Sequence, residues 1–231
     1  MEHDFEYYYN NVPGKGLCRN NLIYTSLINK SKTVFCQHYH NDTDYHQGQN
    51  QVVDPSLMEE KWLREVNYIT QMRNKYPALV PEITNIDLNQ RKLFFKIQGA
   101  DFWQQTLDNE CSYDDILPNW REQMLDIFRA HRALGIYKYS LHPSSYFVVD
   151  EQLKSINYFF CYNSTSAPIS LRSVMSHISE DRQADLFPKM AALGIDVDAP
   201  TPHDQIQQLA FESFKTNFPA DFMDECKKLY V

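Results

Sequence analysis

The chain has 231 residues and a hydrophobic fraction of 43%, enough for one large domain or two small lobes with a packed core. Its net charge of −8 and isoelectric point near 5.4 provide no basic field to hold a phosphate backbone, so nucleic acid is not an expected partner. No apolar run approaches the roughly 18 residues of a membrane span, and the start MEHDFEYYYNN lacks the basic-then-apolar order of a signal peptide, so a cytoplasmic protein without a membrane partner is expected.

Five cysteines, Cys18, Cys36, Cys111, Cys161 and Cys226, are scattered and form no CxxC pair, a pattern that suits reduced thiols. The Tyr-rich start FEYYYNN reads as a partner surface or, more ordinarily, as a satellite core. The first third is β-rich: LIYTSLI (residues 22 to 28), a polar NKSK turn and TVFCQHYH (residues 33 to 40) predict a hairpin. On the second strand Cys36, His38 and His40 share one face and Gln37 takes the other. With His46 nearby this spacing suits zinc, but no second Cys/His pair is evident, and a half-exposed strand bearing polar histidines is the preferred reading.

After a polar loop at residues 41 to 51, a helix is predicted from about Pro55 to Met72. Met58, Trp62, Val66, Ile69 and Met72 fall in one stripe about 120° wide, the mark of a helix packed on a core. Glu65 falls inside that stripe, and a carboxylate facing a core requires a partner. VPEITNI (residues 80 to 86) and KLFFKIQ (residues 92 to 98) predict a second hairpin across DLNQR. The connector GADFWQQ, with an exposed-looking Phe102-Trp103 pair, leads to a helix on which Trp120, Met124, Ile127, Phe128, His131 and Leu134 share a face. Gly135 ends it in the C-cap position. His131 reads as a core histidine bonded to the following loop, and His142 as a group that orients loop backbone. YFVV and LKSINYFF flank a DEQ turn at residues 150 to 152 as two short strands. The remainder reads as helices broken at Pro168, Gly194 and residues 199 to 202, with a further helix from about His203.

This order of elements is that of the protein kinase-like fold. Residues 131 to 149, HRALGIYKYSLHPSSYFVV, resemble the catalytic segment of small kinase-like phosphotransferases: a helix-ending Leu-Gly-Ile, then His-x-Asp-Leu-His-Pro-x-Asn and a hydrophobic strand. Leu134-Gly135-Ile136 and the stretch from Ser140 fit that frame without a gap. The chemistry departs from it. In the family, the loop aspartate orients the attacking hydroxyl and the loop asparagine holds magnesium; Ser140 and Ser145 stand at these positions. Lys138 stands at the loop's first basic position, where the family has histidine. The Asp-Phe-Gly segment is matched by Asn157-Tyr158-Phe159, or one residue on by Tyr158-Phe159-Phe160. Neither register supplies the carboxylate that hard cations favour. The strand motif Val-Ala-Ile-Lys is matched by Val34-Phe35-Cys36-Gln37, so Gln37 replaces the lysine, while its helix partner corresponds to Glu65. The glycine-rich loop falls on VPGKGLCRNN (residues 12 to 21), with Gly14, Lys15 and Gly16.

The resemblance implies an α+β, two-lobed kinase-like domain. Residues 1 to 99 would form a small antiparallel-sheet lobe with one helix, residues 100 to 231 a reduced helical lobe, and residues 98 to 102 the hinge. It also implies a catalytically impaired pseudokinase, a binding or scaffold module with a protein partner. No metal site and no required cofactor are expected, beyond weak binding of ATP or another nucleotide at Gly14, Lys15, Gly16, Gln37 and Glu65. Glu65 is expected to bond Gln37 or a cation such as Lys15. The alternative is an atypical ATP-dependent phosphotransferase or nucleotidyltransferase that recruits other acids, among them Asp42, Asp44, Asp150 and Glu151; each reads more readily as a solvated loop acid. Compact degenerate proteins of this sort resemble those of bacteriophages and large viruses, for which the compartment would be the host cytoplasm.

Overall fold

Strands rich in aromatic and β-branched residues build the first part of the chain. In the computed structural model, which describes residues 4–12, 15–18, 24–40, 54–175, 180–192 and 194–230, these are β1 (Phe5–Tyr7), β2 (Tyr9–Val12), β3 (Lys15–Cys18), β4 (Tyr24–Asn29) and β5 (Val34–Tyr39). Helix α1 (Pro55–Lys75) follows, then β6 (Ile83–Asp87) and β7 (Lys92–Lys96). β1, β4, β5, β7 and β6 lie side by side in that order as an antiparallel sheet, and β2 pairs with β3 as a separate hairpin. The expected hairpins are present: Ser26 faces Gln37 across β4 and β5, and Leu93 faces Gln37 across β5 and β7. The strand at Phe5 was not anticipated. Tyr8 beyond it is buried, packs edge-on to Phe35 and accepts a hydrogen bond from Asp101 N at 3.1 Å, so this aromatic start belongs to the core.

Asp54 caps α1 by accepting from Ser56 N, with Pro55 at the first helical position. The buried residues Met58, Lys61, Trp62, Glu65, Tyr68, Ile69 and Met72 follow the helical period, and the helix runs one turn past Met72.

The connector GADFWQQ is shorter than expected: Asp101 accepts from Gln104 N and caps α2 (Phe102–Asn109), so only residues 99 to 101 precede the helix. Phe102 is fully buried, with its ring 4.7 Å from Tyr113. The Asp-x-x-Gln pattern at 101 to 104 carries that helix start. There follow α3 (Tyr113–Ile116), α4 (Trp120–Ala133), β8 (Ile136–Lys138), β9 (Tyr146–Val149), β10 (Gln152–Ser155), β11 (Cys161–Asn163), α5 (Leu171–Val174), α6 (Glu180–Ala192), α7 (His203–Ser213) and α8 (Ala220–Lys228). β9 and β10 form the expected short hairpin, but LKSINYFF leaves the strand after Ser155. β8 and β11, neither expected, pair antiparallel and close the intervening chain into a loop. Pro188 lies inside α6.

The protein is thus a mixed α+β structure in which an antiparallel sheet and α1 share one continuous apolar core with the helical remainder. Among the described residues no helix is long and apolar enough to cross a membrane.

Candidate functional site

β5 alternates, so Phe35, Gln37 and Tyr39 take the inner face of the sheet. Gln37 is fully buried there. Its amide Nε2 donates to Asn157 Oδ1 at 2.5 Å, and Tyr24 Oη donates to the same oxygen at 3.1 Å. Asn157 Nδ2 donates in turn to Ser145 Oγ at 2.8 Å, and Ser145 Oγ lies 3.2 Å from Ser140 Oγ. Gln37, Ser140, Ser145 and Asn157, matched to three separate motifs of the family, therefore meet in one hydrogen-bonded chain.

Local conformation aims these groups. Asn157 sits at φ +65°, in the left-handed region that asparagine tolerates. His142 caps the 3-10 turn Pro143–Ser145 by accepting from Ser144 N, which presents Ser145 inward. Lys138, buried in β8, donates to Ser140 O at 2.6 Å and Asn157 O at 2.9 Å, clamping the two arms of the loop together.

Glu65 lies beside this chain but is not bonded as expected. Its Oε2 accepts from Tyr39 Oη at 3.0 Å and from Phe159 N at 2.8 Å. Gln37 takes no part in these bonds, and the Lys15 side chain lies outside the described residues. Gln37 is two residues back along β5 and spends its amide on Asn157, while the longer Tyr39 side chain on the same face meets α1. Burial pushes the Glu65 carboxyl up to about 7, against the opposing pull of the Lys138 ammonium and of the two hydrogen bonds. Burial, then the Lys138 charge, holds His131 well below its ordinary value. Its Nε2 meets Tyr158 Oη at 3.1 Å rather than loop backbone.

The other candidates stand apart. Gly14, Asp42, Asp44 and His46 lie outside the described residues, and only the backbone of Lys15 and Gly16, in β3, is described. Asp150 and Glu151 occupy an exposed turn at positive φ, where Asp150 Oδ1 accepts from Gln98 Nε2. Cys36 is buried and His40 Nε2 pairs with Thr25 Oγ1 at 2.7 Å. Among the described residues no group of three or more His, Cys, Asp or Glu side chains is placed to hold a metal ion.

Tyr24, Tyr39 and the buried role of Lys138 escaped sequence reasoning. Tyr39 was within reach, since it shares a strand face with Gln37. Tyr24 depends on the register of β4 against β5 and on the approach of Asn157.

The chain from Gln37 to Ser140 is built of neutral amides and hydroxyls. Gln37, Ser145 and Asn157 are no more than 3% exposed and bond one another, and the nearby carboxylate holds Tyr39 and backbone through Oε2. Neither of two surface cavities, of about 370 Å³ and about 540 Å³, is lined by any of these residues.

No protein-family model matches this chain, and no curated protein matches it in sequence. Among solved structures it is similar to the bifunctional kinase-methyltransferase WbdD, with a TM-score of 0.40 and 13% identity. The match covers 86% of this chain and 44% of that one, so the chain spans less than half the length of that structure.

Proposed function

We propose that this protein is a kinase-like domain that has given up phosphoryl transfer and works as a binding or scaffold module for a protein partner in the cytoplasm. The observation that carries this reading is the buried chain from Gln37 through Asn157 and Ser145 to Ser140. Loop and strand patterns matched these four positions to the family's lysine, metal-binding aspartate, metal-binding asparagine and loop aspartate. Their convergence, with Glu65 alongside, supports the kinase-like reading of the fold.

The loss of activity follows from chemistry. Phosphoryl transfer relies almost wholly on positioning and on neutralising charge around the phosphates. Amides and hydroxyls already bonded to each other in a dry core offer magnesium no anionic oxygen and the nucleotide no cation. These polar groups instead join the sheet to the loop segments packed against it.

Calorimetric titration and thermal shift with ATP, ADP and AMP, each with and without magnesium or manganese, test the reading. A ligand at 100 times its dissociation constant would add about 2.7 kcal/mol of stability. No shift is expected with any nucleotide. Metal-dependent stabilisation by ATP would overturn the proposal and restore the phosphotransferase alternative.

A further inference from the structure

The cavity of about 370 Å³ lies among α2, α3, the start of α4 and the turn before α8. Trp103, Tyr113, Phe218 and Pro219 supply its apolar walls, with Cys111 and Asp114 also lining it. The rings lock one another in place: Tyr113 lies 5.4 Å from Phe218 and 5.4 Å from Trp120, which stacks on Phe218 at 5.7 Å. Such a volume is within the range of small-ligand sites, about 300 to 1,000 Å³, and accommodates one large side chain with its neighbours.

Charge selects the occupant. From Ile97 to Trp120 the chain carries Asp101, Asp108, Glu110, Asp114 and Asp115 and not one lysine, arginine or histidine. Asp114 is exposed, yet held in position because its Oδ1 accepts from Trp120 Nε1 at 3.1 Å. Asp108 and Glu110 are exposed on either side of the helix end that leads from Thr106 to Cys111. The cations flanking the lining residues in sequence are already paired: Arg121 with Asp221 at 2.8 Å, and Lys215 with Glu212 and Asp224.

We infer that this cavity is the docking site for a basic linear segment of the protein partner. An apolar or aromatic side chain enters between Trp103, Tyr113 and Phe218, and a flanking arginine or lysine lies against Asp114, Asp108 and Glu110. Aromatic faces beside carboxylates favour a cation twice over, through the ring quadrupoles and through charge. An acidic peptide or a nucleic acid would be repelled both here and by the net charge of −8. The inference rests on the proposal that the protein acts by binding, and names the chemistry of what it binds.

The test titrates the protein with acetyl-Arg-Arg-Pro-Phe-Arg-amide and, as control, acetyl-Glu-Glu-Pro-Phe-Glu-amide, reading the fluorescence of Trp103 and Trp120. The basic peptide should bind saturably and the acidic one should not. Asp114→Asn and Asp108→Asn keep the acceptors used by Trp120 and Gln104 while removing charge, and each should weaken binding about threefold at low salt. Glu82→Gln with Asp87→Asn, just before and at the end of the edge strand β6, should change nothing. Thr106→Trp should fill the cavity and abolish binding; if that variant does not fold, the two isosteric substitutions decide the matter. Equal binding of both peptides, no saturable binding, or the same loss from the remote pair would overturn the inference. Magnesium-nucleotide binding is read separately and does not depend on these residues, so failure of the docking site and failure of the pseudokinase reading are distinguishable.

Discussion

Gln37 and Asn157, 120 residues apart, are joined by a hydrogen bond of 2.5 Å between side-chain amides that are both buried. The bond ties the central strand of the sheet to the segment that follows β10. Asn157 Oδ1 also receives Tyr24 Oη, so one oxygen gathers two strands.

Asn157→Ala should therefore destabilise the protein by about 2 to 4 kcal/mol. Two buried donors and one buried acceptor lose their partner, and alanine is strained at positive φ. Urea unfolding should show a lower midpoint at unchanged slope. Asn157→Asp restores a family-like carboxylate but loses the donor to Ser145; it should also destabilise and should not create metal-dependent nucleotide binding. A stable Asn157→Asp variant that binds magnesium-ATP would contradict the view of this cluster as a closed core.

Glu65 gives the stability a pH dependence of unusual sign. Its folded pKa of about 7 lies above its ordinary value of 4.5 because burial disfavours the charge. Between these values the folded state holds the proton more tightly than the unfolded state. This residue's contribution is therefore greatest at pH 4.5 and below, and is lost as pH rises through 7. Glu65→Gln keeps an acceptor for Tyr39 and Phe159 N while abolishing the titration. Subtracting the two unfolding profiles should leave a component that falls from pH 4.5 to 7 in the wild type alone; a flat difference would remove the buried-carboxylate account. Lys138 opposes the shift, so Lys138→Met should push the Glu65 carboxyl higher. It should also cost about 1 to 3 kcal/mol, since the buried carbonyls of Ser140 and Asn157 lose their donor.

Gly135, just past α4, is at φ +67°, and a Cβ there would stand 2.7 Å from Ser164 Oγ. Gly135→Ala should cost about 1 to 2 kcal/mol from the backbone conformation alone, with the Ser164 contact adding to it. The double variant Gly135→Ala with Ser164→Ala should recover only the contact part, measured by chemical denaturation. Full recovery would place the whole effect in packing and none in the backbone.

Local pattern made much of this protein legible before any coordinates. Period and caps predicted α1, α4 and the hairpins, because these depend on residues within a few positions of each other. The same periodicity turned Glu65 inward, and alternation on β5 separated Gln37 from Cys36 and His38. The resemblance of HRALGIYKYSLHPSSYFVV to the family's loop picked out Ser140 and Ser145, and the match to its Asp-Phe-Gly segment picked out Asn157, because such motifs are short and local. What spacing does not encode is which buried group meets which. Gln37 amide and Tyr39 hydroxyl share a face and differ in reach, so only the packing of α1 beneath the sheet decided that Tyr39, not Gln37, would hold Glu65. Lys138 read as a loop cation until the pairing of β8 with β11 enclosed it, and Phe102 read as a hinge residue until Asp101 capped a helix over it. Each of these outcomes depends on elements far apart in the chain, whose mutual approach is set by filling one apolar core and pairing most of the polar groups caught inside it.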